Sequence, residues 1–383
     1  MALLIEENRE IGRGLLRGIA QYSRAFGPWL FYRESPFYER LSEKERLRRI
    51  KNWNPDGIIM REQGDMDVDL LSMKIPIVYS GHRKGPAKGV PNILGDDREI
   101  GRIAASYLLN KGFRNFGFCG FDDMWWAIDR GRFFAEALFE AGFKVNFYVP
   151  PVQHVLRSWP REPEMICKWI QTLPKPCAVF ACTDDRCRQV AAACRQAGVR
   201  VPEEIALLGV DNDELTCNFS SPPLSSILLN TEKSGYDAAL VLHRMMQGKK
   251  IKEKIILIPA PRVVTRQSTD IVAIDDTAVV SALNYIREHY RKGICVNEIA
   301  RKAGVSRRVL ELRFRKMLNR SVYEEVLRLR MNHACVLLTE SNLSITQIAE
   351  ALNYEEIKYF SRAFRKVTGF SPMAYRKQFS GYR

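Results

Sequence analysis

Short apolar strands alternate with amphipathic helices up to about residue 260, and this alternation limits the possible folds more than any other feature of the chain. Leu3–Ile5 is a predicted strand, and a predicted helix over Arg9–Ala25 follows it. The cycle then repeats, with predicted strands over 57–60, 75–79, 116–119, 147–149, 179–181 and 206–210, and predicted helices over 97–109, 131–140 and 186–196. Such alternation favours parallel sheets with right-handed crossovers. We therefore expect an α/β domain over residues 1–265.

The alternation stops near a pair of prolines. Ile255–Ile258, bounded by Pro259 and Pro261, is the predicted closing strand, and residues 266–276 are the predicted linker. Beyond the linker the sequence predicts only helices, over 279–290, 296–303, 306–318, 322–338, 345–351, 356–367 and a short one near 371–378. The second predicted domain, residues 277–383, is therefore all-α.

Basic residues are concentrated in this second domain. The chain holds 59 Lys and Arg against 44 Asp and Glu, a net charge of +15, and residues 275–383 alone hold 20 against 11. A basic terminal domain predicts a nucleic-acid partner.

The chain has neither an apolar run long enough to span a membrane nor a signal peptide at its N-terminus. We therefore expect a cytoplasmic protein with no membrane partner.

Metal, cofactor and catalytic motifs are absent from the sequence. Its nine cysteines form no CxxC pair, and Cys182, Cys187 and Cys194 are best interpreted as buried thiols. No GxxxxGK or GxGxxG loop is present, and the five histidines fall in no catalytic pattern. We expect no catalytic residue, metal or cofactor, and the chain is predicted not to be an enzyme.

Two segments of the helical domain share one plan, a short helix, a tight turn and a longer helix. These predicted helix-turn-helix units cover residues 296–318 and 345–367. Gly304 stands in the first turn and Asn353 at the matching place in the second, and both residue types tolerate positive φ. Ser306 is a predicted N-cap. The repeated plan predicts two DNA-binding units in one domain.

The end of this domain carries a specific resemblance. The segment Tyr359-Phe-Ser-Arg-Ala-Phe-Arg-Lys-Val-Thr-Gly-Phe-Ser-Pro-Met-Ala-Tyr-Arg376 resembles the C-terminal signature of the AraC/XylS family of transcription activators, and the similarity covers about residues 277–378. The resemblance implies a DNA-binding domain with two helix-turn-helix units. Asn353 departs from the glycine that family members usually have there.

Helical geometry predicts which side chains face DNA. In the first unit Leu310, Phe314 and Met317 form the predicted buried stripe, which leaves the outer face to Arg307, Arg308, Glu311, Leu312 and Arg315. In the second unit Phe360, Phe364 and Val367 are predicted to pack inward, and the outward positions that the family uses near DNA are Ile357, Lys358, Ser361 and Arg362.

The resemblance implies that Arg308, Glu311 and Leu312 face the groove. Arg308 has the chemistry to bind guanine O6 and N7, Glu311 to accept from cytosine N4, and Leu312 to contact a thymine methyl. For each predicted outer residue a phosphate contact or plain solvation is as good an interpretation as base recognition.

Three segments of the first domain resemble a second family. Asp97–Gly112, the pair Thr183-Asp184 and the segment Leu208–Asn212 are similar to the periplasmic-binding-protein-like effector domains of LacI-type repressors. That resemblance implies a two-lobed type I fold with an effector between the lobes. Its combination with an AraC/XylS-like tail matches the subgroup of xylose-operon activators, so that the resemblance spans essentially the whole chain.

The predicted strands deliver polar residues at their carboxyl ends, where open parallel sheets bind ligands. Carboxylates, an amide, an arginine and a tryptophan suit a small polyhydroxylated ligand. The candidate ligand-binding residues are Asn8, Asp97, Trp126, Arg130, Thr183, Asp184 and Asp211. By resemblance, Arg130 is the effector clamp, and Asp97 and Asp211 are its acidic companions. Only one of Trp125 and Trp126 is expected to face the cleft, and capping of the following helix is an equal alternative for Asp184.

The combined expectation is a sequence-specific transcription regulator that binds double-stranded DNA as a homodimer and is controlled by a small sugar. Xylose or a related monosaccharide is the sugar that the resemblance implies. Activation is favoured, with RNA polymerase as a further partner in that case, and repression is the alternative. An enzyme with a DNA-binding tail, such as a repair methyltransferase, is an unfavoured alternative, because the zinc-binding and nucleophilic cysteines that it needs are absent.

Overall fold

A computed structural model describes residues 1–34, 41–83, 85–150, 159–251, 254–270, 276–318 and 320–379. Its strands are β1 Ala2–Leu4, β2 Tyr32–Arg33, β3 Ile58–Arg61, β4 Ile77–Ser80, β5 Asn92–Gly95, β6 Asn115–Cys119, β7 Val145–Tyr148, β8 Cys177–Ala181, β9 Ile205–Asp211, β10 Ser225–Leu228, β11 Ile255–Ile258 and β12 Arg262–Val264. The helices of the first 265 residues are α1 Glu10–Phe26, α2 Glu43–Trp53, α3 Met66–Leu71, α4 Asp97–Asn110, α5 Trp125–Glu140, α6 Glu162–Thr172, α7 Asp184–Gln196, α8 Glu214–Asn218 and α9 Thr231–Met246.

The strands form two six-stranded sheets, one in each of two lobes. The first sheet has the order β11-β5-β4-β3-β1-β2 and is parallel throughout. The second has the order β12-β10-β9-β8-β6-β7, in which only the β10–β12 pair is antiparallel. Strands such as β8 and β9 are continuously apolar because helices cover both faces of a parallel sheet. The predicted two-lobed α/β fold is confirmed.

The chain crosses between the lobes three times, after β5, after β10 and after β11. We call these crossing segments, residues 95–97, 229–230 and 259–261, the hinge. The first crossing leads into α4, which packs on α5 in the second lobe, whereas α9 returns to pack on α1 in the first lobe. Both lobes therefore place the carboxyl ends of their strands beside the hinge.

The C-terminal region is helical, as predicted. Its helices are α10 Thr277–His289, α11 Val296–Lys302, α12 Arg307–Leu318, α13 Val322–Glu340, α14 Ile345–Ala351, α15 Ile357–Thr368 and α16 Pro372–Phe379. Leu310 and Phe314 belong to one core, and Phe360 and Phe364 belong to another. The long helix α13 contributes Val322 and Val326 to the first core and Met331, Ala334 and Leu338 to the second. Each helix-turn-helix unit thus has its own core, and one helix joins the two.

The turns and caps of both units follow the sequence. Gly304 has φ +70° and Asn353 has φ +61°, so asparagine adopts the left-handed conformation that glycine has in the first unit. The Ser306 hydroxyl accepts the Val309 N–H at 3.3 Å. Ser321 and Glu324 form a capping box at the start of α13.

Several elements differ from the predictions. Helix α5 begins at Trp125 rather than Gly131, because its N-cap Met124 supplies no side-chain hydrogen bond that would mark the start. The structure also contains elements that were not predicted, namely β2, β5, β10, β12, α2, α3, α6, α8 and α9. Several of them are strands of two to four residues, too short for a clear alternation.

The first part of the predicted linker 266–276 forms a turn in the structure. Gln267–Thr269 is a 3₁₀ turn in which Ser268 and Thr269 are buried. The Ser268 hydroxyl donates to Leu207 O at 2.7 Å and so connects this turn to β9. Residues 271–275 of the predicted linker lie outside the described residues. The segment up to Thr269 therefore packs with the second lobe.

Candidate functional site

A pocket that is partly open to solvent lies between the two lobes. Strand ends from both sheets and two of the hinge segments border it. Its polar and aromatic lining consists of Arg9, Arg61, Ser80, His82, Asp97, Trp125, Trp126, Arg130, Thr183 and Asp211. Of the predicted ligand-binding residues, the structure thus brings Asp97, Trp126, Arg130, Thr183 and Asp211 together.

Arg130 and Asp97 form a buried ion pair in the wall of this pocket. Arg130 Nε donates to Asp97 Oδ1 at 2.8 Å, and both side chains are only 5% exposed. Arg130 Nη1 donates to Cys182 O at 2.6 Å. The Arg130 guanidinium also lies 5.0 Å from the Trp126 ring, one helical turn earlier on α5. Arg130 is therefore oriented by three neighbours before any ligand arrives.

Burial and charge oppose each other in the ionisation of this pair. Burial raises the pKa of Asp97, and the Arg130 guanidinium counteracts that rise. Burial works against the charge of Arg130, yet the carboxylates of Asp97 and Asp211 raise its pKa. Each group therefore stays ionised because its partner carries the opposite charge. Removal of either side chain would leave the other as a buried, unpaired charge.

Asp211 ends β9 in a strained turn. Asp211 has φ +106° and the next residue, Asn212, has φ +52°. Burial raises the pKa of Asp211 to about 6, against the opposing guanidiniums of Arg130, Arg9 and Arg61. Backbone strain of this kind is typical of functional sites. Asp211 is therefore an acceptor at the pocket wall whose ionisation is opposed by burial and favoured by three neighbouring guanidiniums.

The structure places two predicted ligand-binding residues away from the pocket lining. Asn8 is exposed, and its neighbour Arg9 lines the pocket instead. Asp184 is buried behind the pocket, where its Oδ2 accepts the Asp213 N–H at 2.8 Å. It is not the helix cap either, because the Thr183 side chain caps α7 by accepting the Arg186 N–H. Asp184 thus supports the loop after β9.

Both tryptophans line the pocket, which corrects the expectation that only one would. Trp126 stacks on His82 at 5.6 Å between ring centroids. The Trp125 ring lies next to Gly85, where a Cβ atom would come within 3.7 Å of it. The two rings face different neighbours because consecutive residues of a helix point about 100° apart.

Sequence reasoning missed a polar cluster in the first lobe. Arg61 Nη1 is paired with Glu6, and Arg61 Nη2 lies 3.2 Å from His82 Nδ1. Burial, together with the guanidiniums of Arg61 and Arg9, lowers the pKa of His82 to about 4. An arginine only donates, so neutral His82 accepts at Nδ1 and carries its proton on Nε2. Arg61 directly follows the predicted strand 57–60, so its position at a strand end is the signal that could have identified it.

The outer face of the first recognition helix, α12, is exposed as predicted at Arg307, Arg308, Leu312 and Arg315. Glu311 differs from them, because it is half-buried and its Oε2 accepts the Val322 N–H at 3.4 Å. Glu311 therefore also contacts the start of α13.

The second recognition helix, α15, presents Ile357, Lys358 and Arg362 to solvent, and Ser361 is half-buried. Val367 is 43% exposed, so the prediction that it packs inward is wrong. Phe360 and Phe364 are the residues of this helix that belong to the core, and Val367 lies one residue before the end of the helix.

Two negative findings concern the described ranges alone. Among those residues, no group of three or more His, Cys, Asp and Glu side chains has an arrangement that suits a metal ion. None of the helices in the same ranges is long and apolar enough to cross a membrane.

Comparisons with known proteins agree with this architecture. The model of the periplasmic binding protein-like domain matches residues 105–269, and that of a helix-turn-helix domain matches residues 299–378. The xylose operon regulatory protein of Escherichia coli K12 is 30% identical over 384 residues, which cover 98% of this chain and 96% of the relative. The protein of the same name from Haemophilus influenzae is also 30% identical, with coverages of 98% and 97%.

One solved structure matches both regions of the chain, and a second matches the first region. The structure of the xylose-binding transcription activator xylR matches with a TM-score of 0.61 and 29% identity, over 99% of this chain and 98% of that one. The regulator CelR in complex with cellobiose shares the fold of the first region, with a TM-score of 0.54 over 70% of this chain. Because the curated relatives align over nearly their whole length, this chain belongs to the family of xylose operon regulatory proteins, sugar-responsive transcription regulators with a DNA-binding helix-turn-helix domain.

Proposed function

We propose that this protein is a xylose-responsive transcription activator and has no enzymatic activity. The single observation that carries the proposal is the pocket at the hinge, where the Arg130–Asp97 pair and Asp211 face Trp126. Charged groups with fixed orientation bind pairs of sugar hydroxyls, and an indole ring covers the apolar face of a pyranose. Relatives with xylose in their names align over nearly the whole chain, which supports this choice of sugar.

The charges around the pocket include no excess of cations, which supports a neutral sugar over an acidic one. The three guanidiniums of Arg9, Arg61 and Arg130 have four carboxylates beside them, those of Glu6, Asp97, Asp185 and Asp211. A sugar acid or sugar phosphate would need an excess of cations. Calorimetry with xylose, arabinose, ribose, glucose and glucuronate tests the proposal, which predicts the tightest binding for xylose and none for glucuronate.

Sugar binding is expected to weaken below about pH 6. The pKa of Asp211 is raised to about 6, so acidification neutralises an acceptor on which the bound hydroxyls depend. The affinity for xylose should fall by about tenfold between pH 7 and pH 5, as measured by calorimetry. In the control variant Asp211→Asn, binding should be weaker at pH 7 and should depend less on pH, with Asp97 as the remaining carboxyl group of raised pKa in the pocket. His82, with a pKa of about 4, titrates below this pH range.

The proposed DNA contacts are those of the two recognition helices. The connecting helix α13 has 19 residues, or about 28 Å at 1.5 Å per residue, which suits entry of α12 and α15 into successive major grooves on one face. Each protomer is then expected to protect nearly two turns of DNA in a footprinting experiment. We propose that the protein acts as a homodimer with two such sites and, as an activator, recruits RNA polymerase.

Arg308→Ala is expected to cost about 1–3 kcal/mol of DNA-binding free energy and to relax preference at one base pair, because bidentate contacts to guanine are specific. The control is Lys366→Ala, an exposed cation outside the proposed base-contacting face. It should weaken binding to all sequences alike and reduce the salt slope by about one unit. Mobility shifts on single-base variants of a selected site distinguish the two effects. If Arg308→Ala weakened binding to all sequences equally, this result would contradict the proposed base-contacting face.

The proposed boundary separates a sugar-binding domain, residues 1–265, from a DNA-binding domain, residues 277–383. A fragment over 276–383 should be helical by circular dichroism, since both of its cores are internal. It should bind DNA weakly and show no response to xylose. An unfolded fragment, or one that responds to the sugar, would contradict the boundary.

A further inference from the structure

The last helix of the DNA-binding domain rests on the hinge between the two lobes. Asn230 Nδ2 donates to Phe379 O at 2.6 Å, and Tyr375 Oη donates to Pro261 O at 3.0 Å. Phe379 and Tyr375 both belong to α16, whereas Asn230 and Pro261 belong to two different crossing segments of the hinge. Helix α16 therefore bridges these two crossings.

Both of these crossings begin at or next to the ligand pocket. Leu229, which precedes Asn230, and Ile258, which ends β11, both line the pocket. The two crossings are also tied to each other, because the Asn230 N–H donates to Pro259 O at 2.9 Å. A change in the angle between the lobes involves all three crossings, and the peptides of these two leave the pocket wall and reach α16 within three residues.

Helix α16 leads directly to the second recognition helix. The Tyr375 ring packs edge-on against Phe364 at 5.3 Å, and Phe364 is a fully buried side chain of α15. A movement of α16 on the hinge is thus transmitted to α15 through close-packed aromatic rings, which cannot absorb it.

The first unit is held elsewhere, on the second lobe. Arg320 Nη2 donates to Asn110 O at 2.7 Å, and Arg114 Nη2 donates to Met317 O at 2.5 Å at the end of α12. The DNA-binding domain is therefore fixed at one place to a lobe and at another to the hinge. A change in hinge angle alters the geometry between these two attachments, so that at least one of them has to rearrange.

We propose that Asn230 and Tyr375 are positioning residues that couple sugar binding to DNA binding by seating α16 on the hinge. The inference rests on the proposed function, because it assumes that xylose changes the angle between the lobes. A ligand shifts DNA affinity only through interactions that differ between the two arrangements, and the contacts of α16 with the hinge are such interactions.

Two conservative variants test these contacts. Tyr375→Phe removes the hydroxyl and keeps the ring in its aromatic cluster. Asn230→Asp keeps the side-chain oxygen that caps α9 by accepting the Lys233 N–H, and it loses the N–H that Phe379 O accepts. The second variant alters no residue of the DNA-binding domain, so it does not depend on how that domain tolerates the first.

Each variant has a matched control that removes the same kind of hydrogen bond away from the hinge. Tyr285→Phe removes the hydroxyl that donates to Glu298 within the DNA-binding domain. Asn115→Asp removes an amide N–H that donates to Pro176 O at 3.0 Å within the second lobe. The controls therefore separate loss of the hinge contact from a general loss of rigidity.

The measured quantity is the ratio of DNA dissociation constants without and with saturating xylose. It is determined with full-length protein by fluorescence anisotropy, on a duplex selected in vitro with that protein. Couplings of this kind are typically about 5- to 150-fold, and one hydrogen bond accounts for about two- to tenfold. We expect each hinge variant to lower the ratio by that factor, the double variant to bring it close to one, and both controls to keep the wild-type ratio. Calorimetry without DNA should still show saturable xylose binding in every variant.

The outcomes separate the inference from the function on which it rests. Hinge variants that bind xylose and keep the wild-type ratio would overturn the role of α16 and leave the proposed function intact. A wild-type protein that binds no xylose, or whose DNA affinity does not change with it, would overturn the proposed function and the inference together. Equal losses in the hinge variants and their controls would also contradict the inference.

Discussion

Replacing Arg130 by alanine is expected to lower the free energy of unfolding by about 3–5 kcal/mol and to abolish sugar binding. Arg130 and Asp97 are both buried, so the variant leaves the Asp97 carboxylate without its partner and the Cys182 carbonyl without its donor. For a domain of this size the melting temperature should fall by about 10 °C, as measured by calorimetry or dye binding. Addition of xylose should then produce no further shift.

Two further variants separate the structural and ligand-binding contributions of this pair. The double variant Arg130→Met and Asp97→Asn removes both charges and should recover much of the stability without recovering sugar binding. Arg132→Ala, on the exposed side of the same helix, should change neither the stability nor the sugar binding. A sugar-induced shift that persists in Arg130→Ala would contradict the assignment of Arg130 to the ligand.

Glu325→Gln is expected to destabilise the DNA-binding domain by about 3–5 kcal/mol. Glu325 is only 2% exposed and accepts from Arg328 at 2.6 and 3.0 Å, and Arg320 Nε lies 2.7 Å from its Oε2. Loss of its charge leaves the partly buried guanidiniums of Arg320 and Arg328 without a carboxylate partner. Thermal unfolding and limited proteolysis should both show the loss, and Glu324→Gln, which keeps the capping box, is the control.

The stability that Glu325 contributes also has a definite pH dependence. Burial opposes its ionisation, yet the guanidiniums of Arg328 and Arg320 hold the pKa of Glu325 below its usual range. A carboxyl group with a lowered pKa stabilises the folded state above its unfolded pKa, and that contribution is lost as the pH falls through the folded value. The wild type should therefore lose stability in acid, and the Gln variant should show a smaller loss over the same range.

The sequence predicted the parts of this fold that depend on local pattern. The boundaries of α14 agree in full, and those of α4, α7 and α12 agree within one or two residues, because apolar periodicity and caps define them. The left-handed turn at Asn353 was also predictable, since few residue types tolerate it. Short strands such as β12 were not, because their pairing partners lie far away along the chain.

The pocket was predictable to the extent that strand ends locate it. Asp211 and Thr183 follow predicted strands directly, whereas the family resemblance also supported Asp97 and Arg130. Arg61 and His82 follow strands in the same manner, but only the folded chain shows that they meet Glu6 and Trp126. Asp184 shows the limit of such reasoning. A carboxylate at a strand end can accept hydrogen bonds from the backbone of a loop behind the site instead of contacting the ligand.

The first lobe is assembled from segments that are distant in sequence. Helix α1, near the N-terminus, packs on α9, which begins at Thr231, and β11 completes the first sheet only at Ile258. The strands from β6 to β10 of the second sheet, by contrast, are contiguous in the chain. During synthesis on the ribosome, the second lobe therefore has nearly all of its sheet available while the apolar face of α1 still lacks its cover. Helix α1 is therefore made well before the helix that covers it, and its exposure to aggregation or chaperones lasts until about 220 further residues have emerged.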